Sequence, residues 1–176
     1  MNKNRTTISV LIPILIGMIC VYWAYGVFQE WIADGFKDRI PSELKISETL
    51  LVDGDMGGLG WWGVAIFRLQ SDTLDKLRAT GLQALAGARR SKNKNSISGE
   101  YQEYSPWRET PYIETGDGMT LEDRWLGGMV GANMKPELSK SIEKALRSGG
   151  SYYAKSNDSG LVVIPSLGLV AYIYFD

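Results

Sequence analysis

Between Gly99 and Glu114 the chain reads GEYQEYSPWRETPYIE, where Glu100, Glu103, Glu109 and Glu114 are interleaved with Tyr101, Tyr104, Trp107 and Tyr112. Aromatic faces beside carboxylates suit sugar binding. A pair of carboxyl groups at the right separation can also perform acid–base chemistry on a glycosidic bond. Tyr104, Trp107, Glu100, Glu103 and Glu109 are therefore the candidate ligand-binding residues, with an envelope glycan as the matching ligand. The plainer account has the rings pinning a long loop to the core while the carboxylates stay in water. It is preferred, because spacing along a loop fixes no distance between carboxyl groups.

A second stretch, DGDMGGLGWWG from Asp53 to Gly63, carries two superficial signatures. Gly58-x-Gly60-x-x-Gly63 has the spacing of a dinucleotide fingerprint, but that chemistry needs a helix after the glycines, with its N-terminus on the pyrophosphate. Here the glycines precede the strand-like run WWGVAIFRLQ, and two tryptophans fill the variable places. Asp53-x-Asp55 resembles the start of a calcium loop, yet the fifth and twelfth places hold Gly57 and Val64 instead of oxygen ligands. A glycine-rich hairpin connection accounts for the stretch best.

Ser-x-x-Lys occurs at Ser42/Lys45, Ser91/Lys94 and Ser141/Lys144 without the companion motifs of serine–lysine acyl transfer, and reads as background. Arg89, Arg90, Lys92 and Lys94 form a compact basic run. Such a run is ordinarily a solvated loop; its functional alternative is contact with anionic headgroups or an acidic protein.

Two absences narrow the chemistry. The chain has no histidine, and its one cysteine, Cys20, lies in the apolar N-terminal run. Imidazole catalysis, thiolate metal sites, internal disulfides and a cysteine nucleophile in the remainder are thereby excluded. No metal or cofactor is implied. From Glu30 onward the chain holds all 20 acidic residues and all of the 19 basic ones except Lys3 and Arg5. That mildly acidic balance does not suggest nucleic acid as a partner.

The elements that would position these residues follow from periodicity and punctuation. Glu43–Asp53 reads as strand or capped helix, and Trp61–Gln70 as a strand. A helix is expected from about Asp72 to Ala86, with Leu74, Leu77, Leu82 and Leu85 in one arc and a defect at Gly81. Residues 89–114 read as a polar and aromatic loop. Thr120-x-x-Asp123 signals a second helix before Trp125 and Leu126. Pro136, Glu137, the stripe Leu138/Ile142/Leu146 and Gly149-Gly150 define a third. SYYAKS, LVVIP and LVAYIYF read as three strands. The expected fold class is α+β: a mostly antiparallel sheet of about five strands with two to three helices on one face, after an N-terminal transmembrane helix.

That transmembrane helix is ISVLIPILIGMICVYWAYGVF, 21 residues from Ile8 to Phe28 with no charge. At about 1.5 Å per residue it would cross a hydrocarbon core of about 30 Å. Ile8, Pro13, Gly17, Cys20, Trp23 and Phe28 mark the span, and Tyr22, Trp23, Tyr25 and Trp31 would sit at its outer interface. A cleaved signal peptide fits less well, since the run is long and Ala24-Tyr25-Gly26 is a poor site. With Lys3 and Arg5 before it, residues 1–7 are expected in the cytoplasm, 8–28 in the cell (inner) membrane, 29–42 beside it and 43–176 in a periplasmic, extracytoplasmic domain. The expected role is a single-pass envelope component. It would touch lipid through residues 8–28 and bind another protein through its domain, the glycan reading being the alternative.

Overall fold

The computed structural model describes residues 3–54, 62–94, 99–111, 132–157 and 159–175. Helix α1 runs from Lys3 to Lys37, 35 residues through Pro13 and Gly17 without a break. Its Leu15–Lys37 part is long and apolar enough, by length and composition, to cross a membrane. From Leu15 to Trp31 its large apolar side chains lie open: Tyr22 is 78% exposed, Trp23 70% and Trp31 71%. One turn later the environment reverses. Ile32 and Ala33 are buried, and the ring of Phe36 lies 5.6 Å from that of Tyr172. The expected juxtamembrane segment is therefore largely helix, and it docks onto the domain.

The remaining elements are β1 (Ile46–Gly54), β2 (Trp62–Leu69), α2 (Ser71–Thr80), a 3-10 turn (Gly81–Leu85), β3 (Arg90–Lys94), β4 (Tyr101–Glu103), β5 (Arg108–Glu109), α3 (Pro136–Leu146), β6 (Tyr152–Lys155), β7 (Ser159–Ile164) and β8 (Leu169–Phe175). Six strands form one sheet in the order β1-β2-β8-β7-β6-β5, antiparallel throughout, and β3 pairs with β4 as a separate ribbon. The fold is α+β with an N-terminal apolar helix, as the sequence indicates. The segment 89–114, expected as a loop, instead carries β3, β4 and β5. The helix signalled by Thr120 and Asp123 lies outside the described residues.

Helices cover both faces of the sheet, which corrects the expectation of one covered face. Side chains alternate across a strand. On one face Ala65, Phe67, Leu161, Val163, Val170 and Tyr172 pack with Ile40, Leu44, Leu77 and Leu85. On the other, Val64, Ile66, Val162, Ile164, Ala171 and Ile173 pack with Ile142 and Leu146 of α3. All six residues of β7 are buried. A strand buried on both sides must be apolar at consecutive positions, and Leu161-Val-Val-Ile164 is.

Gly81 turns the expected defect into a break. Its φ of 53° ends α2; the chain then continues as 3-10 helix from Gly81 to Leu85. Rotation per residue rises from 100° to about 120° there, so the α-helical arc is lost. Leu77 and Leu85 stay buried, but Leu82, placed with them by periodicity, is 43% exposed. Replacing Leu85 by Ala should cost roughly 2–5 kcal/mol and Leu82 by Ala no more than about 0.5 kcal/mol. Denaturant unfolding of the detergent-solubilised chain measures both; equal costs would contradict this break in phase.

Candidate functional site

Residues 99–111, the described part of the carboxylate-rich aromatic stretch, divide into two environments. Tyr104 is 2% exposed and donates from its hydroxyl to the Arg39 carbonyl at 2.8 Å. Trp107 is also buried and donates from Nε1 to the Ala88 carbonyl at 2.7 Å. Both rings belong to the core cluster, with their polar atoms satisfied by backbone, so neither face is open to a sugar. Burial pushes the Tyr104 phenol well above the usual tyrosine range; neighbouring Tyr172 adds to the rise and Arg39 opposes it.

The candidate carboxylates do not converge. Glu100 and Glu103 are exposed on the β3–β4 ribbon. Glu109 sits on β5 at the far edge of the large sheet, where Oε1 accepts from the Gly150 N–H at 2.8 Å. Tyr112 and Glu114 lie outside the described residues. Among the described residues no group of three or more His, Cys, Asp or Glu side chains could hold a metal ion.

Asp53 has a structural task. Oδ1 accepts from the Gly54 N–H at 2.8 Å and Oδ2 from the Asn133 N–H at 2.5 Å, tying the end of β1 to the entry of α3. Asp55 to Trp61 lie outside the described residues. Gly54 faces Gly63 in the register of β1 and β2, so this segment joins an antiparallel pair, and Trp62 opens a strand rather than a helix. Two of the Ser-x-x-Lys hydroxyls serve the backbone. Ser91 donates to the Asn93 carbonyl and Ser141 to the Glu137 carbonyl.

What the fold does bring together lies where α1 enters the domain. A groove of about 390 Å³ is lined by Lys37, Lys45 and Lys92, with Ser42, Ser47 and Thr49 among the polar residues beside them. Lys37 pairs with Asp34 at 2.9 Å and Lys45 with Asp72 at 2.7 Å. The Lys45 hydrogen bond holds the Asp72 carboxyl below its ordinary range.

Strand β1 borders this groove and forms one end of the sheet. At nine residues it is a long edge, whereas β5 closes the other end with two. An edge strand directs alternate N–H and C=O groups away from its neighbour, and native proteins blunt such edges by shortening or bulging them. β1 carries register shifts between Ile46 and Glu48 and between Thr49 and Leu51. No described strand pairs with its outer side.

Next to the groove, β3 crosses the exit of α1. The Lys92 N–H donates to the Ile40 carbonyl and the Asn93 N–H to the Asp38 carbonyl, both at 3.1 Å. On the ribbon, the Arg90 guanidinium lies 4.6 Å and the Lys94 ammonium 5.7 Å from the ring centre of Tyr101. Periodicity read this segment as a loop and so missed the pairing. The signal available was the every-second-residue spacing of Arg90, Lys92 and Lys94; β3 shifts register between Arg90 and Lys94, and those two share the Tyr101 ring while Lys92 lines the groove.

Comparison with protein-family models, with curated proteins and with solved structures found no match.

The raised phenol of Tyr104 fixes the sign of an alkaline effect. Its folded pKa lies above the unfolded value of about 10, so its contribution is complete below that pH and declines as pH rises past it. Stability should fall less steeply above about pH 10 in Tyr104→Phe than in the wild type, read from denaturant midpoints across the alkaline range. Replacing Trp107 by Phe should leave the Ala88 carbonyl without its donor and cost roughly 1–3 kcal/mol. A wild-type denaturant midpoint in that variant would show that the bond contributes nothing to stability.

Proposed function

We propose that the chain is a single-pass protein of the cell envelope, anchored by α1 with its N-terminus in the cytoplasm. Its α+β domain lies on the far side and binds another protein, in an accessory or assembly role. Support for the anchor is the exposure of Leu15–Trp31. Large apolar side chains that no part of the described chain covers gain about 25 cal/mol for each Å² removed from water, and lipid supplies that removal. A core helix of this domain would be covered by its own sheet, as Ile32 and Ala33 are.

The observation that carries the binding role is the outer side of β1 beside the anchor, where residues 51–54, past its two register shifts, keep regular pairing. A partner that adds a strand there gains main-chain hydrogen bonds, and the side chains of Leu50, Leu51 and Val52, half-buried in β1, offer contacts for alternate residues. The short β5 edge offers no comparable length.

Two measurements test the reading. Membranes extracted with alkaline carbonate should retain the full chain, and a reporter fused after Asp176 should be active outside the cytoplasm. Recovery of a soluble form lacking about the first 26 residues would refute the anchor in favour of cleavage. A photo-crosslinker placed at exposed Ser47 in β1 should capture a defined protein in cells, while one at exposed Lys140 in α3 should not. Equal or absent adducts at the two positions would remove β1 as the binding edge.

A further inference from the structure

We propose that the β3–β4 ribbon, with Arg90, Lys94 and Tyr101 together and Lys92 beside them at the groove, docks against anionic phospholipid headgroups of the membrane that α1 enters. The proposal rests on the anchor reading of α1 and adds a second contact between the domain and that membrane.

The direction of β3 is the first support. As the chain passes from Lys92 to Asn93, its backbone partner moves from Ile40 back to Asp38. β3 therefore runs opposite to the outgoing chain, towards the side from which α1 arrives. Lys37 lies nine residues past Phe28, about 14 Å along a straight helix axis. Ile32 and Ala33, buried by the domain, lie only about 6–8 Å past Phe28, so the near end of the domain reaches the headgroup layer, which is about 5–8 Å deep on each side. β3 bulges between Arg90 and Lys94, which face Glu103 and Tyr101, so the ribbon advances about 7 Å over that stretch and Lys94 lies farther back than Arg90. The length of a lysine side chain closes what remains.

Charge is the second support. Lys37 and Lys45 in the neighbouring groove have carboxylate partners, Asp34 and Asp72. Arg90, Lys92 and Lys94 have no carboxylate within ion-pair distance among the described residues, although Glu103 faces Arg90 in the ribbon register. Among the described residues no carboxylate holds these cations, which leaves them to meet phosphate. Tyr101, 41% exposed between two of them, is the residue type that favours the headgroup level. The Phe28 and Trp31 rings, stacked 6.2 Å apart on α1, give the same level a second aromatic contact.

The test reconstitutes the full chain in two kinds of vesicle, phosphatidylcholine alone and phosphatidylcholine mixed two to one with phosphatidylglycerol. Flotation after alkaline carbonate reads the anchor by itself; failure to float with either vesicle would sink the anchor reading. In floated protein, water-soluble amine acylation is followed residue by residue by mass spectrometry. Labelling of Lys92 and Lys94 should be about fivefold slower in the anionic vesicles, the factor expected for one basic side chain near such a surface, and should recover at high salt. Lys76 on α2 and Lys140 on α3 are the internal controls and should not change. Equal labelling of Lys92 and Lys94 in both vesicles overturns headgroup docking and leaves the anchor standing. Protection seen in native membranes but absent in anionic vesicles assigns the face to a protein partner and overturns it too.

Discussion

One helix has to satisfy two solvents. From Leu15 to Trp31 the large apolar side chains of α1 lie open, while Ile32, Ala33 and Phe36, a single turn farther on, are covered by the domain or packed against it. A helix without a break has no hinge, so these demands cannot be met independently. Wherever the open part finds its apolar medium, the sheet face carrying Phe67 and Tyr172 follows at a fixed spacing. A Gly- or Ser-rich linker would have let the domain sample many distances and orientations. Here the rise of the helix sets the distance instead.

The domain core is built around that attachment. Ile40 and Leu44, just past the end of α1, are among its most buried residues, and Phe36 packs against the same cluster. Tyr104 reaches back to bond the Arg39 carbonyl, and β3 bonds the carbonyls of Asp38 and Ile40. The turn that ends α1 thus has three of its carbonyls satisfied from two separate parts of the chain, β3 and Tyr104, as buried or half-buried backbone groups require. Loosening this junction would leave those carbonyls without donors and open one face of the sheet. Helix α1 and the core are energetically coupled, although they are far apart in composition.

Much of this was legible in the residues. The charge-free run, the capped and striped helix at Pro136–Leu146 and the three C-terminal strands announce themselves because local propensity and burial agree there. Coverage of both sheet faces was also written in the sequence, in apolar runs such as Leu161–Ile164 that do not alternate. The segment from Arg89 to Glu109 was not legible. Its strands are short, and Tyr104 and Trp107 owe their place to backbone carbonyls at Arg39 and Ala88, which are remote in sequence. Interleaved carboxylates and rings look alike whether the rings point into a core or a ligand. Only tertiary contact separates the two, and periodicity carries no information about it. Leu82 failed for a different reason: one glycine changed the helical repeat beneath it.

The balance of charge over the whole chain is a poor guide to what its surface meets. The residues after Glu30 are net acidic, which alone would argue against an anionic neighbour. Screening limits the reach of each exposed charge to about 8 Å at physiological salt, however, so a surface responds to the groups within that radius and not to the sum. At the exit of α1 the fold gathers Arg90, Lys92 and Lys94 on the short strand β3 and pairs Asp34 and Asp72 with other lysines. Glu103 faces Arg90 across the ribbon and Glu100 precedes Tyr101, so two carboxylates share that radius with the cations. Local placement, not composition, therefore decides which charges meet at the junction, and a basic run that a flexible loop would let disperse is held there by the hydrogen bonds to Asp38 and Ile40.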